Sequence, residues 1–159
     1  MPSRIDPALL PIAHFAEKGI PFHVFLEMKV VHLVRGEAAV CIPPKPFLTG
    51  DPFRPAVHGG VVSTLLDTAG GVATFTTFSD ANDRCSTVDL RVDYLRPGPT
   101  GVDLVAFGQI LRRGNRVAVT RMELFAGALP EEGDPARAKP IAIGHGVYNI
   151  IRVDEPGEF

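Results

Sequence analysis

The sequence predicts an α+β domain in which a mostly antiparallel sheet of about six strands wraps one long buried helix. Three observations predict it. The prolines are clumped and leave Pro-free windows at 22–42, 56–96, 100–129 and 141–155. Proline removes a backbone donor, so regular structure belongs in those windows. Apolar and polar residues alternate with a period of two in several of them. One stretch instead repeats apolar residues at helical spacing and carries no charged outer face.

Taken in order, residues 1–21 read as an N-terminal extension with a short helix over 7–18, and residues 22–153 as the core of a single domain. Val24, Leu26, Met28 and Val30 share one face, with Glu27 and Lys29 on the other, which predicts a first strand. Arg35-Gly36 is a turn and residues 38–42 a second strand, completing a hairpin. Five prolines within 43–55 stiffen the loop that follows. The helix starts at His58-Gly59-Gly60, with apolar residues at 61, 62, 65, 66, 69, 72 and 73. The rest of its surface is Ser, Thr, Ala and Gly, so other structure is expected to enclose it. Gly70 and Gly71 each disfavour a helix by about 1 kcal/mol relative to Ala. Close approach of a neighbouring backbone is the expected return.

Four strands should follow. In 87–94, Val88, Leu90, Val92 and Tyr94 alternate with Thr87, Asp89, Arg91 and Asp93, which predicts one wet face. Residues 102–111 and 116–125 flank the hairpin signal Arg112-Arg113-Gly114-Asn115. The polar loop 128–139 leads to a last strand at 141–153.

Composition excludes several classes. Of the residues 45% are apolar and the net charge is −2, which rules out a disordered tail and an overall polybasic nucleic-acid binder. Gly and Pro make up 31 of the 159 residues, short of low-complexity disorder. Cys41 and Cys85 are too few for a disulfide scaffold and read as packing thiols. The N-terminus lacks a basic region followed by an apolar run, and the stretch 55–79, which has no Lys, Arg or Glu, is broken by Asp67, by hydroxyls and by glycines. A cytoplasmic protein without a membrane partner is expected. His14, His23, His32 and His145 show no ligand spacing backed by Cys or carboxylates, so no metal site is expected; His23 and His32 are placed in the first strand. Phosphate-cradling glycine motifs are absent from the sequence.

Asp67 is the anomaly. It is the one acidic residue between Asp51 and Asp80, set among Leu65, Leu66, Ala69 and Val72. An enclosed carboxylate is costly unless it is hydrogen-bonded. Two readings stand: a structural Asp bonded to another segment, or a catalytic carboxylate acting as base or nucleophile. His58-Gly59-Gly60 leaves backbone N–H groups free at the helix start, where they can stabilise an oxyanion. The nine residues from His58 to Asp67 span about 13 Å of helix. If both take part in one site, they meet across a two-fold dimer interface.

Three blocks carry a resemblance: His58-Gly59-Gly60-Val61-Val62-Ser63-Thr64-Leu65-Leu66-Asp67, then Thr87-Val88-Asp89-Leu90-Arg91-Val92-Asp93-Tyr94-Leu95-Arg96-Pro97, then Arg112-Arg113-Gly114-Asn115-Arg116. Across residues 22–152 the chain resembles the hotdog-fold acyl-CoA thioesterases of the phenylacetate-type (PaaI-like) branch. The resemblance implies that the Gly59 N–H polarises the thioester carbonyl and that His58 shapes its loop. It implies that Asp67 of the facing subunit activates water or attacks, with Thr87 helping to hold the water or substrate. Gly60, Tyr94, Arg112, Arg113, Gly114, Asn115, Arg116, Val117 and Asn149 match positions that contact the coenzyme A thioester. No other cofactor is implied, and a homodimer or homotetramer is. Many family members carry Asn or Gln six residues before the His. Here that position is Pro52, with Asp51 and Arg54 as the nearby polar groups.

Two alternatives stay open: a non-catalytic acyl-CoA-binding protein, and an enoyl-CoA hydratase or dehydratase on the same fold. The arginine-rich turn suits the phosphates of coenzyme A, and equally a solvated hairpin tip. Phe47, Phe53, Phe75 and Phe78 are candidates for an apolar acyl pocket, or ordinary core.

Overall fold

The computed structural model describes residues 4–80 and 82–152. Pro7, Pro11 and Pro21 each sit in the first turn of a short helical piece, where a missing N–H is no loss. A 3₁₀ turn (Pro7–Leu9), α1 (Leu10–His14) and a π-helical turn (Phe15–Gly19) follow one another and lead to α2 (Pro21–Phe25). This replaces the first half of the expected first strand. Pro21 sets a helical entry from extended Ile20, and Glu27 adopts φ 55° to redirect the chain. Leu26 and Met28 are buried, yet the strand itself begins later, as β1 (Lys29–Val34). A helical turn followed by a strand buries much the same apolar residues as a continuous strand would.

Beyond β1 the expected order holds. β2 (Glu37–Ile42) completes the hairpin. The proline-rich loop contains a small hairpin of β3 (Thr49–Asp51) and β4 (Ala56–Val57). Then come α3 (Gly59–Phe75), β5 (Arg84–Tyr94), β6 (Leu104–Arg113), β7 (Val117–Ala126) and β8 (Ala142–Ile151). Val153, expected at the end of the last strand, lies outside the described residues. Arg112 and Arg113 belong to β6 rather than to the turn, which narrows to Gly114, Asn115 and Arg116.

The six main strands run β1-β2-β6-β7-β8-β5, every pair antiparallel. α3 lies against one face, with Val62, Leu65, Leu66, Ala69, Val72 and Ala73 buried on the sheet. This is the hotdog arrangement: a central helix wrapped by an antiparallel sheet. Among the described residues no helix is long and apolar enough to cross a membrane.

The close approach comes from a different glycine than expected. A Cβ on Gly108 of β6 would sit 2.7 Å from the Ala69 backbone, so Gly108 lets strand and helix backbones touch. The space beside Gly70 is taken by side chains instead, the Tyr148 hydroxyl among them.

β5 departs from its sequence pattern at one residue. Directly opposed residues of paired strands share a face. Thr87 lies opposite Tyr148, whereas Asp89 lies opposite Val147, so Val88 is the extra residue of a β-bulge. The alternation is thereby reversed at Val88. Thr87 faces α3, as Leu90 and Val92 do, and Val88 turns outward to 64% exposure.

Candidate functional site

α3 presents two separate polar sites. At its start, His58 is the N-cap, and its Nδ1 accepts the Gly60 N–H at 2.9 Å. The His58 N–H donates to Leu48 O at 2.8 Å, and Gly50 packs against the His58 backbone. The β3–β4 hairpin thus fixes the helix entry. The first residues of a helix have no intrahelical acceptor. With Gly60 held by the imidazole, the Gly59 N–H is the one left without a partner among the described residues. Tyr94 lies over this turn and donates to Gly59 O at 3.2 Å. A phenol has one proton, so Ser63 Oγ donates to Tyr94 in their 2.6 Å contact. The structure therefore groups Tyr94 with Gly59, and not with the arginine turn.

The second site is at mid-helix. Asp67 is half-buried, and its Oδ1 accepts the Thr87 hydroxyl at 2.8 Å and the Tyr148 hydroxyl at 3.2 Å. The same Tyr148 proton is shared with the Asp67 backbone carbonyl at 2.8 Å. Oδ2 has no partner among the described residues, and the carboxylate opens on a cleft of about 160 Å³. Ile20, Gly71, Val72, Phe75 and Ser86 line it. Burial, and then the charge of Asp67, pushes the Tyr148 phenol far above its ordinary range, so it remains a donor. Burial, and then Asp67, raises the Cys85 thiol to about 12, which removes it as a nucleophile at neutral pH.

His23, expected in a strand, lies in α2. Its Nδ1 donates to Ala16 O at 2.8 Å and its Nε2 lies 3.4 Å from Thr68 Oγ1, beside Asp67. It fastens the N-terminal segment along the cleft.

The basic turn is the third cluster. Arg113 faces the helix: its Nε donates to Thr77 Oγ1 at 3.0 Å and its Nη1 to Gly114 O. Burial, and then neighbouring Arg152, lowers its pKa. Arg112 is exposed. Val117 and Asn149 are opposed in register, on the sheet face away from Tyr148. Arg152 donates to Asn115 Oδ1 and to Ser79 Oγ, both at 3.3 Å, and pairs with buried Asp83 at 3.6 Å. The expected coenzyme A set is thus divided between helix side and outer face, and Arg152, paired with Asp83, braces Asn115.

Of the four candidate pocket phenylalanines, Phe75 lines the Asp67 cleft and Phe78 packs edge-on against it. Phe47 packs tilted against Phe25, and Phe53 is 94% exposed at the β3–β4 turn. Asp51 Oδ1 accepts the Phe53 and Arg54 N–H groups, so the polar residues beside Pro52 build that turn. Tyr148 escaped the sequence reading. Its signal is the row Ala142, Gly144, Gly146, Tyr148, in which three small residues precede one large aromatic on the helix-facing side of β8.

Comparison with known proteins bears on the fold and the family. The model of the Thioesterase superfamily matches residues 55–131. The medium/long-chain acyl-CoA thioesterase YigI of Escherichia coli K12 is 35% identical over 131 residues, covering 75% of this chain and 84% of its own. A crystal structure from Shewanella oneidensis, related to the thioesterase superfamily, superposes with TM-score 0.74 at 31% identity, covering 91% of this chain and 99% of that one. The E. coli PaaI protein of the phenylacetic acid degradation operon shares the fold with TM-score 0.74 at 21% identity, covering 90% and 93%. The family match spans His58, Gly59, Asp67 and Thr87, and the likeness to YigI runs over most of both proteins; the chain belongs to the thioesterase superfamily and has its hotdog fold.

Proposed function

We propose that the protein hydrolyses an acyl-CoA thioester to the free acid and coenzyme A in the cytoplasm, with no further cofactor. The observation that carries this reading is Asp67, a helix-borne carboxylate with one oxygen held by Thr87 and Tyr148 and the other open to a cleft. The likeness to YigI, named as an acyl-CoA thioesterase, supports the substrate class.

Asp67 Oδ2 takes a proton from water while the water oxygen bonds to the thioester carbonyl carbon. The carbonyl π pair moves to oxygen, and an N–H donor stabilises that oxyanion. On collapse the C–S bond breaks and the coenzyme A thiolate leaves with the proton held by Asp67. The free Gly59 N–H suits the oxyanion, but Asp67 lies eight positions after Gly59, about 12 Å of helix. The donor is therefore Gly59 of the partner subunit. β5 supports such a dimer: it is an 11-residue strand at the sheet edge, and its one neighbour among the described residues is β8. An edge of that length is a template for pairing with a second copy. Such dimers form the homodimer, or pair into a homotetramer. Arg112, Arg116 and Asn149 meet the phosphate-bearing part of coenzyme A, and Arg113, Asn115 and Arg152 shape that turn.

The test is thiol release from acyl-CoAs by wild type and Asp67→Asn. The variant is expected to lose at least about a hundredfold in kcat with its oligomer and melting temperature retained. Turnover near wild type in Asp67→Asn would overturn the mechanism. A single turnover in ¹⁸O-water should label the acid product and leave Asp67 unlabelled.

A further inference from the structure

Gly70 and Gly71 are neighbours in α3 with opposite surroundings. A Cβ on Gly70 would lie 2.4 Å from the Tyr148 hydroxyl and 2.9 Å from Thr120 Oγ1, so packing requires glycine there. A Cβ on Gly71 would meet Tyr148 Cε1 at 3.6 Å and nothing closer, an ordinary contact. Both glycines have negative φ, so neither is needed for backbone conformation. Glycine is disfavoured relative to alanine in a helix interior, and at position 71 the fold supplies no compensating reason for it.

The side-chain space left by Gly71 belongs to the cleft in front of Asp67. That cleft carries polar groups around the carboxylate, from His23, Thr68, Ser86 and Thr87, and an apolar part beyond Gly71. Val72 and Phe75 form the helix side, and Ile20 closes it from the N-terminal segment. The segment is held in place there. His23 lies between Ala16 O and Thr68 Oγ1, and Phe15 packs on Phe75 with ring centroids 5.9 Å apart. A volume of about 160 Å³ equals roughly five waters. That is more than an acetyl methyl needs, and it suits an acyl chain of medium length or a phenyl group.

We propose that Gly71, Ile20 and Phe75 form the acyl slot, and that the N-terminal helical segment is its outer wall and sets acyl-chain preference. This rests on the thioesterase reading, with the thioester carbon beside Asp67 and the chain running over Gly71. A side chain at 71 then shortens the slot, and removing Ile20 opens it.

The experiment measures kcat/KM on acetyl-, octanoyl-, phenylacetyl- and palmitoyl-CoA for wild type, Gly71→Ala, Gly71→Leu and Ile20→Ala. Gly71→Leu is expected to lower the octanoyl-to-acetyl ratio at least about tenfold, and Ile20→Ala to raise the palmitoyl-to-octanoyl ratio. Gly71→Ala should melt no lower than wild type. Should Gly71→Leu fail to fold, Ile20→Trp narrows the slot from the opposite wall and carries the same expectation. An equal loss on all four substrates, or no change in their ratios, overturns the slot. Calorimetry with non-hydrolysable octyl- and ethyl-CoA thioethers separates the two readings. Wild type should bind the octyl compound at least about tenfold tighter, and Gly71→Leu should lose that discrimination. If wild type discriminates in this way but releases no thiol from any acyl-CoA, the slot stands and the hydrolysis reading fails.

Discussion

Tyr148 and Asp67 are joined twice: the phenol proton is shared between the Asp67 carbonyl oxygen at 2.8 Å and its Oδ1 at 3.2 Å. The ring is 1% exposed and occupies the room left by Gly70 and Gly146. The contact therefore pins the middle of α3, where the carboxylate sits, to the strand behind it. Tyr148→Phe keeps the ring and removes both bonds. A loss of about 1–2 kcal/mol of stability is expected, as for a buried hydrogen bond with one partner deleted. A carboxylate free to swing lowers kcat about tenfold to a hundredfold, with KM little changed. Chemical denaturation and steady-state kinetics check the two parts. A variant with wild-type kcat would show that Tyr148 is packing and nothing more.

Thr87 holds the same oxygen from β5, at 2.8 Å. Thr87→Val preserves shape and β-propensity while deleting the donor, and Thr87→Ser preserves the donor while deleting a methyl. If the hydroxyl orients Asp67, the valine variant loses about tenfold in kcat and the serine variant keeps most of it. Equal activity of the two variants would instead assign the position to packing.

This pair also marks where the sequence stops being legible. The enclosed helix was readable because an uncharged outer face needs a cover, and β2, β6, β7 and β8 followed from alternation between turns. Asp67 stood out as a charge among apolar neighbours, and His58 and Gly59 as a glycine-rich helix start. The bulge at Val88 left no trace, because 87–94 alternates without interruption and the extra residue exists only in the pairing with β8. Its consequence is chemical: Thr87, read as solvent-facing, is turned toward Asp67. α2 is hidden for a related reason: Leu26 and Met28 are buried as a strand would bury them, and the two patterns part at Val24, which is exposed. Tyr148 escapes a local reading because its partner lies 81 residues away.

The arginines of the β6–β7 hairpin divide by what they touch. Arg112 is exposed, so Arg112→Ala should raise KM for acyl-CoA several-fold and leave the melting temperature unchanged. Arg113 ties β6 to the end of α3 through Thr77. Arg113→Ala should lower the melting temperature, in line with loss of a charged hydrogen bond, about 1.5–3 kcal/mol at most for a buried group and less at this half-buried one. Added salt should weaken substrate binding in wild type more than in Arg112→Ala, because an exposed charge pair is screened. A melting temperature that falls equally in both variants would refute the division.

Gly108 tests the packing of sheet on helix. Its Cβ would strike the Ala69 backbone at 2.7 Å, and backbone cannot rotate away as a side chain can. Gly108→Ala should therefore cost about 3 kcal/mol, the upper end for overpacking, and should shift α3 with its carboxylate. Gly70→Ala should cost less, since its Cβ strikes side-chain atoms rather than backbone and alanine gains about 1 kcal/mol in helix propensity. Denaturant titrations of the two variants give the order directly, and a reversed order would contradict the close backbone approach.

Alkaline pH should unfold the protein through groups that keep their protons when folded. Burial, then the Asp103 charge, raises the Cys41 thiol to about 11; burial, then Asp67, raises Cys85 to about 12; and Tyr148 is raised as well. Ordinary thiols titrate near 9.0. Between that value and the folded values the unfolded chain binds fewer protons than the native one, so stability falls as pH rises. The contribution is fully present below pH 9 and is lost on passing through the folded values. Melting temperatures should be level from pH 7 to 8.5 and then decline steadily toward pH 11. Cys85→Ala removes one of these groups and should flatten the decline. Cys85 should also resist alkylation at pH 8 in the folded state and react once the chain is unfolded. A thiol that reacts rapidly in the native protein at pH 8 would mean that the cleft leaves Cys85 open to solvent, and Cys85→Ala should then leave the alkaline slope unchanged.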